Sequence, residues 1–256
     1  MTLPLALSNQ RVQRLRRLVN RRDSRREEGV LVVEGAVLLR EAATAGLEVE
    51  CQFVAADSSP VDVGGSVFRL ADGVMERVAS TESPQPVIGI VRTPHFDRSI
   101  LELADFVVVA DGVSDPGNLG TMMRSAEGSG ADAFVVTPGT VDHTSPKVVR
   151  AAAGSLFRLP VFEVRQIDDL RRSNLVTIGT TSHGAPCYSD VDLERPIAVI
   201  LGNEPRGLNT NLDVDEWMSI PLAGSVESLN VAMACSVVCF EVARQRRADS
   251  DTVEAR

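Results

Sequence analysis

The chain has 256 residues, 44% hydrophobic and 24% charged, with 26 basic against 35 acidic side chains and a formal net charge of −9. That length and apolar content accommodate one large domain or two modest ones with real cores, and no apolar run approaches the roughly 20 residues of a membrane-spanning helix. The overall charge excludes a uniformly basic nucleic-acid binder. Its distribution is uneven, however: residues 1–26 hold eight arginines and one acid, Asp23, a net of +7, which leaves −16 on the other 230 residues.

Along the chain, the start MTLPLALSNQ has no basic residue ahead of its short apolar stretch, so no secretory signal is expected. Residues 9–22 set Val12, Leu15 and Leu18 or Val19 at three- and four-residue spacing among arginines, which predicts a basic amphipathic helix. LVVEG (31–35) reads as a strand ended by glycine, 37–46 as a helix stopped by Gly46, and 51–56 as a strand. A loop over 58–65, a short strand and helix within 67–80, and a strand over 87–92 complete a small α/β domain. The boundary falls in the polar stretch 93–104, giving domains 1–98 and 99–256.

The second part opens with FVVVADGV (106–113), an apolar strand of the kind buried on both faces. Asn118 is the expected N-cap of a helix that closes at Gly128 and Gly130, and 133–138 is the next strand. Ser145 and Pro146 open another helix at their favoured positions. There follow a strand near 159–164, a helix near 167–173, strands over 175–182, 196–204 and 217–222, a long helix from about Glu227 to Arg247, and a tail (248–256) expected to be disordered. Repeated βα units predict a parallel sheet. The four cysteines are scattered and form no C-x-x-C; a reduced, cytoplasmic setting without a zinc site follows.

Three loops follow strands, where open α/β sheets bind ligands. In DGVSDPGNLGTMMRSAEGSG (111–130), Asp115-Pro116-Gly117 turns directly into a helix N-terminus that favours an anion, and Arg124 lies two turns on; an ordinary turn with a solvated arginine fits the same residues. In LGNEPRGLN (201–209), Gly202 permits close backbone approach to a ligand, and Glu204 ends an apolar strand, an unusual place for a purely structural charge. A solvated Glu204, or one paired with Arg206, is the alternative. In the third loop, Ser228 and Asn230 precede the last helix and by themselves read more readily as capping residues than as catalytic ones. That helix carries a small-residue stripe of Ala232, Ser236, Cys239 and Ala243. No Walker P-loop, G-x-G-x-x-G or G-x-S-x-G is present at the required places, and His95, His143 and His183 are isolated.

Together and in this order, DPGNLGTMMRSAEGSG, ILGNEPRGL and IPLAGSVESLNVAMA resemble the three motifs of the SpoU/TrmH family of RNA ribose 2′-O-methyltransferases, in the SPOUT superfamily. KVVRAAAGSLFRLPV between them fits the same pattern, and the basic, VEG-containing first part resembles the ribosomal-protein-like substrate-binding domain often attached to these enzymes. The resemblance implies a trefoil-knotted α/β domain, against the general rule that chains do not thread loops. It also implies a homodimer that uses S-adenosylmethionine. By motif position, Thr180, Gly202, Ile220, Leu222 and Leu229 would line the cofactor pocket, and Asn118, Arg124, Glu204, Ser228 and Asn230 would surround the reacting centre. Thr121-Met122 departs from the smaller residues common at that point, without mechanistic consequence.

On this reading a ribose 2′-hydroxyl attacks a sulfonium methyl group in line. Arg124 would orient the hydroxyl through the adjacent phosphate, with Asn118 helping to hold that phosphate. Arg11, Arg14, Arg17, Arg21 and Arg22 would contact RNA, so removing residues 1–26 should weaken RNA binding and spare cofactor affinity. The appended first domain favours 23S ribosomal RNA. Transfer RNA, and in a different class a non-catalytic RNA-binding assembly factor, are the alternatives; a nucleotide-binding enzyme of another kind lacks its phosphate loop.

Overall fold

The computed structural model describes residues 3–81, 83–172, 174–203, 207–209 and 211–254. Two compact units emerge: one runs to His95 and takes in Asp142–Arg158, and the other holds Phe96–Val141 and the chain from Leu159 onward.

In the first unit the basic segment forms two helices rather than one. Helix α1 (Gln10–Asn20) buries Val12, Leu15 and Leu18, and the Asn9 side chain caps it by accepting from the Arg11 amide. Extended backbone at Arg21 breaks the chain before α2 (Arg22–Glu28), which stops at Gly29 in the left-handed region, φ 63°. Then come β1 (Val30–Glu34), α3 (Ala36–Thr44), β2 (Val49–Val54), β3 (Ser66–Arg69), α4 (Met75–Val78) and β4 (Val87–Arg92). The sheet order is β1-β4-β2-β3, with β4 antiparallel to both neighbours and β3 parallel to β2 at the edge. Its core joins Phe53, Leu70, Ile88 and Ile90 to the buried face of α1. Glu34 is buried at the end of β1, where its carboxylate accepts from Ser80 Oγ, Thr81 Oγ1 and the Gln85 amide.

The second unit begins with α5 (Ile100–Leu103), a short helix inside the expected linker, then β5 (Phe106–Ala110), α6 (Pro116–Ser129) and β6 (Ala133–Val136). The chain next contributes α7 (Pro146–Ala152) to the first unit, against β1. A boundary drawn at residue 98 does not anticipate this, because a helix pattern shows that a face is apolar but not which sheet receives it. The second unit resumes with β7 (Val161–Glu163), β8 (Val176–Thr181), β9 (Ile197–Leu201), β10 (Glu216–Ser219) and α8 (Val231–Glu254). Its six strands pair in parallel in the order β10-β8-β9-β5-β6-β7. Strands β5 and β9 are buried throughout, as their unbroken apolar runs require.

Three local expectations change. Asp115, not Asn118, is the N-cap of α6: its side chain accepts from the Asn118 amide at 2.7 Å while Pro116 takes the first turn. Residues Ile167–Arg172 form a 3-10 helix in place of an α-helix. Helix α8 starts at Val231 rather than near Glu227, and continues to Glu254 through the tail expected to be disordered. Its small-residue stripe packs on α6, where the hydroxyls of Ser236 and Ser125 meet at 2.7 Å.

Candidate active site

The order β10-β8-β9 sets the carboxyl ends of three strands side by side, so loops far apart in sequence share one place. The loops after them enclose a cavity of about 530 Å³, within the range of small-molecule sites. Thr180 at the end of β8, Gly202 just beyond β9, Ile220 and Leu222 beyond β10, and Ser228 and Leu229 before α8 all line it. Thr180 is held by donating from Oγ1 to the Ile200 carbonyl at 3.0 Å.

Gly202 also meets a packing constraint that its position in the sequence did not reveal. A Cβ there would lie 2.4 Å from the Leu208 amide nitrogen and 2.5 Å from the Gly207 carbonyl carbon. The close approach is to the chain's own returning backbone, which Asn203 and Gly207 clamp through a 2.8 Å hydrogen bond from the Gly207 amide to the Asn203 carbonyl. Any side chain at 202 would push that turn off the cavity wall.

Asn203, which sequence reasoning passed over, ties two of the loops together. Its Nδ2 donates to the Gly112 carbonyl at 2.7 Å, and this partner fixes the orientation of the amide. Its Oδ1 is buried without a hydrogen-bond partner, the one such side-chain atom among the described residues. Gly112 is in turn anchored by its amide donating to Thr140 Oγ1 at 3.0 Å. The signal was present as a polar residue next to Gly202, but its partner lies 91 positions away.

The third loop meets the first through a pair of asparagines. Asn230 Oδ1 accepts from the amides of Ala232 and Met233, at 3.0 and 3.3 Å, and so caps α8. Its Nδ2 donates to Asn118 Oδ1 at 3.0 Å. The side-chain oxygen of Asn230 thus caps the start of α8 while its amide nitrogen holds Asn118. Arg124 stands apart. It is exposed on α6, does not line the cavity, and has no side-chain partner among the described residues. Glu204, with Arg206, lies outside the described residues. Also among the described residues, no group of three or more His, Cys, Asp or Glu side chains is placed to hold a metal ion, and no helix is long and apolar enough to cross a membrane.

In the first unit, the arginines expected at RNA are largely engaged with acids outside the stretch that was counted. Arg14 donates from Nε to Glu28 at 2.7 Å and from Nη1 and Nη2 to Glu50 at 2.6 and 3.1 Å. Arg17 reaches the other oxygen of Glu28 at 2.8 Å. Burial pushes the Glu28 carboxyl up, but the hydrogen bonds from Arg17 and Arg14 outweigh it and hold the group below the ordinary glutamate value. Arg22 is 3.7 Å from Asp142, and Arg11 lies 4.6 Å over the Phe68 ring. Arg21 is exposed and has no side-chain partner among the described residues, as has Arg16. The local +7 is therefore an upper bound on charge offered to a polyanion. Removing residues 1–26 is also the wrong test, since it would take Val12, Leu15 and Leu18 out of the core.

Comparison with known proteins places these observations. Residues 105–240 match the SpoU rRNA Methylase family, and residues 9–89 match an MRM3-like substrate binding domain. The chain is 32% identical over 245 residues to the 23S rRNA (guanosine(2553)-2′-O)-methyltransferase RlmP of Bacillus subtilis, covering 91% of this chain and 96% of that one. It is 36% identical over 188 residues to the 23S rRNA (uridine(2479)-2′-O)-methyltransferase of Streptomyces viridochromogenes, covering 68% and 66%. The crystal structure of the SpoU methyltransferase AviRb from Streptomyces viridochromogenes in complex with the cofactor AdoMet superposes with a TM-score of 0.82 at 29% identity, over 93% of this chain and 98% of that one. With a family match across most of the second unit and similarity along nearly the whole length, this chain belongs to the SpoU rRNA Methylase family.

Proposed function

We propose that this protein transfers a methyl group from S-adenosylmethionine to a ribose 2′-hydroxyl of 23S ribosomal RNA, acting as a cytoplasmic homodimer whose second unit carries the trefoil knot of its family. The observation that carries the reading is the cavity at the ends of β8, β9 and β10, with the Asn118–Asn230 pair holding the first motif loop to the third. The two relatives named above act on different nucleotides of 23S ribosomal RNA, a guanosine and a uridine, so the position methylated is a property of each chain. The cytoplasmic setting is supported by four free cysteines.

The cavity suits the cofactor. Ile220, Leu222 and Leu229 offer an apolar surface, Thr180 and Asn203 polar groups, and Gly202 and Gly207 backbone without a side chain in the way. When bound, S-adenosylmethionine supplies a methyl group on a sulfonium centre, already activated toward a nucleophile. The protein's own residues must then align the hydroxyl and give its proton a way out. The Asn118 amide at the start of α6 is not open to a phosphate, because the Asp115 carboxylate already accepts from it. Phosphate binding falls instead to the side chains, with Asn118 positioned by Asn230 and Arg124 exposed beyond it.

Calorimetric titration with S-adenosylmethionine tests the reading: one saturable site per chain is expected, and its absence would leave an RNA-binding factor without cofactor. Comparing 2′-O-methylation in total RNA with and without the gene should show one 23S site disappear; loss of a transfer-RNA site instead would reassign the substrate.

The homodimer is supported by α8. Met233, Val237 and Phe240 are 63, 36 and 50% exposed and recur at positions i, i+4 and i+7, forming one apolar stripe on α8 beside the face that packs on α6. Phe240 lies over Gly128 of α6, where a Cβ would be 3.7 Å from its Cζ. Sedimentation should return twice the 27.5 kDa chain mass, and Phe240→Glu should shift it to the monomer. A monomeric unaltered protein would sink this assignment.

A further inference from the structure

We propose that the groove between α1 and the β3 edge of the first unit receives a single unpaired nucleobase of the RNA; this inference rests on the RNA-methyltransferase reading above. The groove has a volume of about 210 Å³. Its floor is apolar: Cys51 and Phe53 on β2 face their register partners Ser66 and Phe68 on β3, and the two phenylalanine rings meet at 5.5 Å with a 46° tilt. Its other wall is α1, where the Arg11 guanidinium carbon sits 4.6 Å above the Phe68 ring. Strand β3 is the last in its sheet, and Arg11 and Ser66, which line the groove, are exposed, so the groove is open to solvent.

The charges in the groove select a base over a phosphate. Arg14 is balanced by Glu50 and Glu28, which together take up its Nε, Nη1 and Nη2. A phosphate here would meet the Glu50 carboxylate and gain little from a cation already committed. A heterocycle is uncharged, presents a π-face to the Arg11–Phe68 pair, and carries N–H groups on its edge. Glu50, oriented by Arg14 through two hydrogen bonds, retains lone pairs for such donors. Aromatic and guanidinium planes are the surfaces on which splayed-out RNA bases stack, whereas bases inside a duplex do not expose their faces. The phosphates flanking the base would be left to exposed cations such as Arg16 and Arg21.

The test uses the full chain and two fluorescein-labelled RNAs of equal length and mixed sequence, one single-stranded and one a perfect duplex. Phe68→Leu keeps the floor apolar while removing the ring. Arg11→Lys keeps the charge but not the plane, and sits at an exposed position, so it remains informative if Phe68→Leu is poorly folded. Each is expected to lower single-strand affinity about five-fold or more, to leave duplex affinity unchanged, and to leave the slope of log affinity against log salt unaltered. An equal loss on the duplex, or a shallower salt slope, would show a phosphate contact and overturn the base site. Full single-strand affinity in both variants overturns the base site alone. Failure of the unaltered protein to bind either RNA overturns it together with the functional reading.

Discussion

Asp142→Asn is expected to destabilise the first unit by about 3–5 kcal/mol, the cost of stranding a buried charge. The charge is Arg25, whose side chain is 3% exposed although it belongs to the most basic stretch of the chain. It donates from Nη1 to the Leu18 carbonyl at 2.6 Å, from Nε to Thr144 Oγ1 at 3.2 Å, and from Nη2 to Asp142. Only the last partner carries the opposing charge. On the Asp142 side, burial pushes the carboxyl up, but hydrogen bonds from the Thr144 hydroxyl and amide and from Arg25 outweigh it and hold the group below the ordinary aspartate value of 3.8. The unfolded chain therefore takes up this proton first as the pH falls. The stabilisation is complete well above the ordinary value and is lost as the pH drops through it toward the lower folded value.

The asparagine variant should thus be weaker at neutral pH and less sensitive to acid. Urea unfolding followed by far-UV circular dichroism should show the loss. The single tryptophan, Trp217, lies in the second unit, so its fluorescence reports there and should move less. Joining Asp142→Leu to Arg25→Met should recover most of the stability, since an apolar pair replaces a buried ion pair at little cost. If Asp142→Asn unfolds at the unaltered urea concentration, the pair is not what holds Asp142–Arg158 to the first unit.

That ion pair also shows where sequence reading stops. Local chemistry was legible: Ser145 and Pro146 begin α7, Val12, Leu15 and Leu18 form the buried face of α1, and the apolar runs of β5 and β9 are buried. The three motif loops were legible too. Thr180, Gly202, Ile220, Leu222 and Leu229 come to one cavity because their strands are neighbours in a parallel sheet. What escaped was pairing at long range. Nothing in the spacing of the arginines tells that Arg14 will meet Glu50, 36 positions on, or that Arg25 will meet Asp142, 117 positions on. A charge count over a window treats all eight arginines alike, whereas folding spends several of them on acids elsewhere. The Asn203–Gly112 link escaped for the same reason. The error at Asn118 was of another kind. Asp115 and Asn118 are both good capping residues, and the proline between them decides the matter by taking the first helical turn.

Arg124→Ala is expected to reduce methyl transfer at least about 100-fold while leaving S-adenosylmethionine affinity within two-fold of the unaltered protein, roughly the range of general acid–base and positioning effects. The two halves of this expectation rest on separate observations. The cofactor cavity is walled by the loops after β8, β9 and β10, and Arg124 is not among its lining residues, so truncating it removes nothing the cofactor touches. The guanidinium is exposed and has no acid partner among the described residues, unlike Arg14, Arg17 and Arg25. It remains available to a polyanionic substrate where those three are committed. Guanidinium groups hold their protons at physiological pH, so this side chain serves better as an electrostatic clamp than as a base. Paired with the phosphate beside the target ribose, it would hold the 2′-hydroxyl in line, and the proton would leave to phosphate oxygen or water. Arg124→Lys separates clamp from base. Lysine keeps the charge without the bidentate fork, so the clamp predicts partial recovery with an unshifted pH profile. A side chain acting as the base would instead bring the profile down toward the lysine pKa. Near-normal turnover in Arg124→Ala would remove this residue from the mechanism and leave substrate alignment to Asn118 and Asn230.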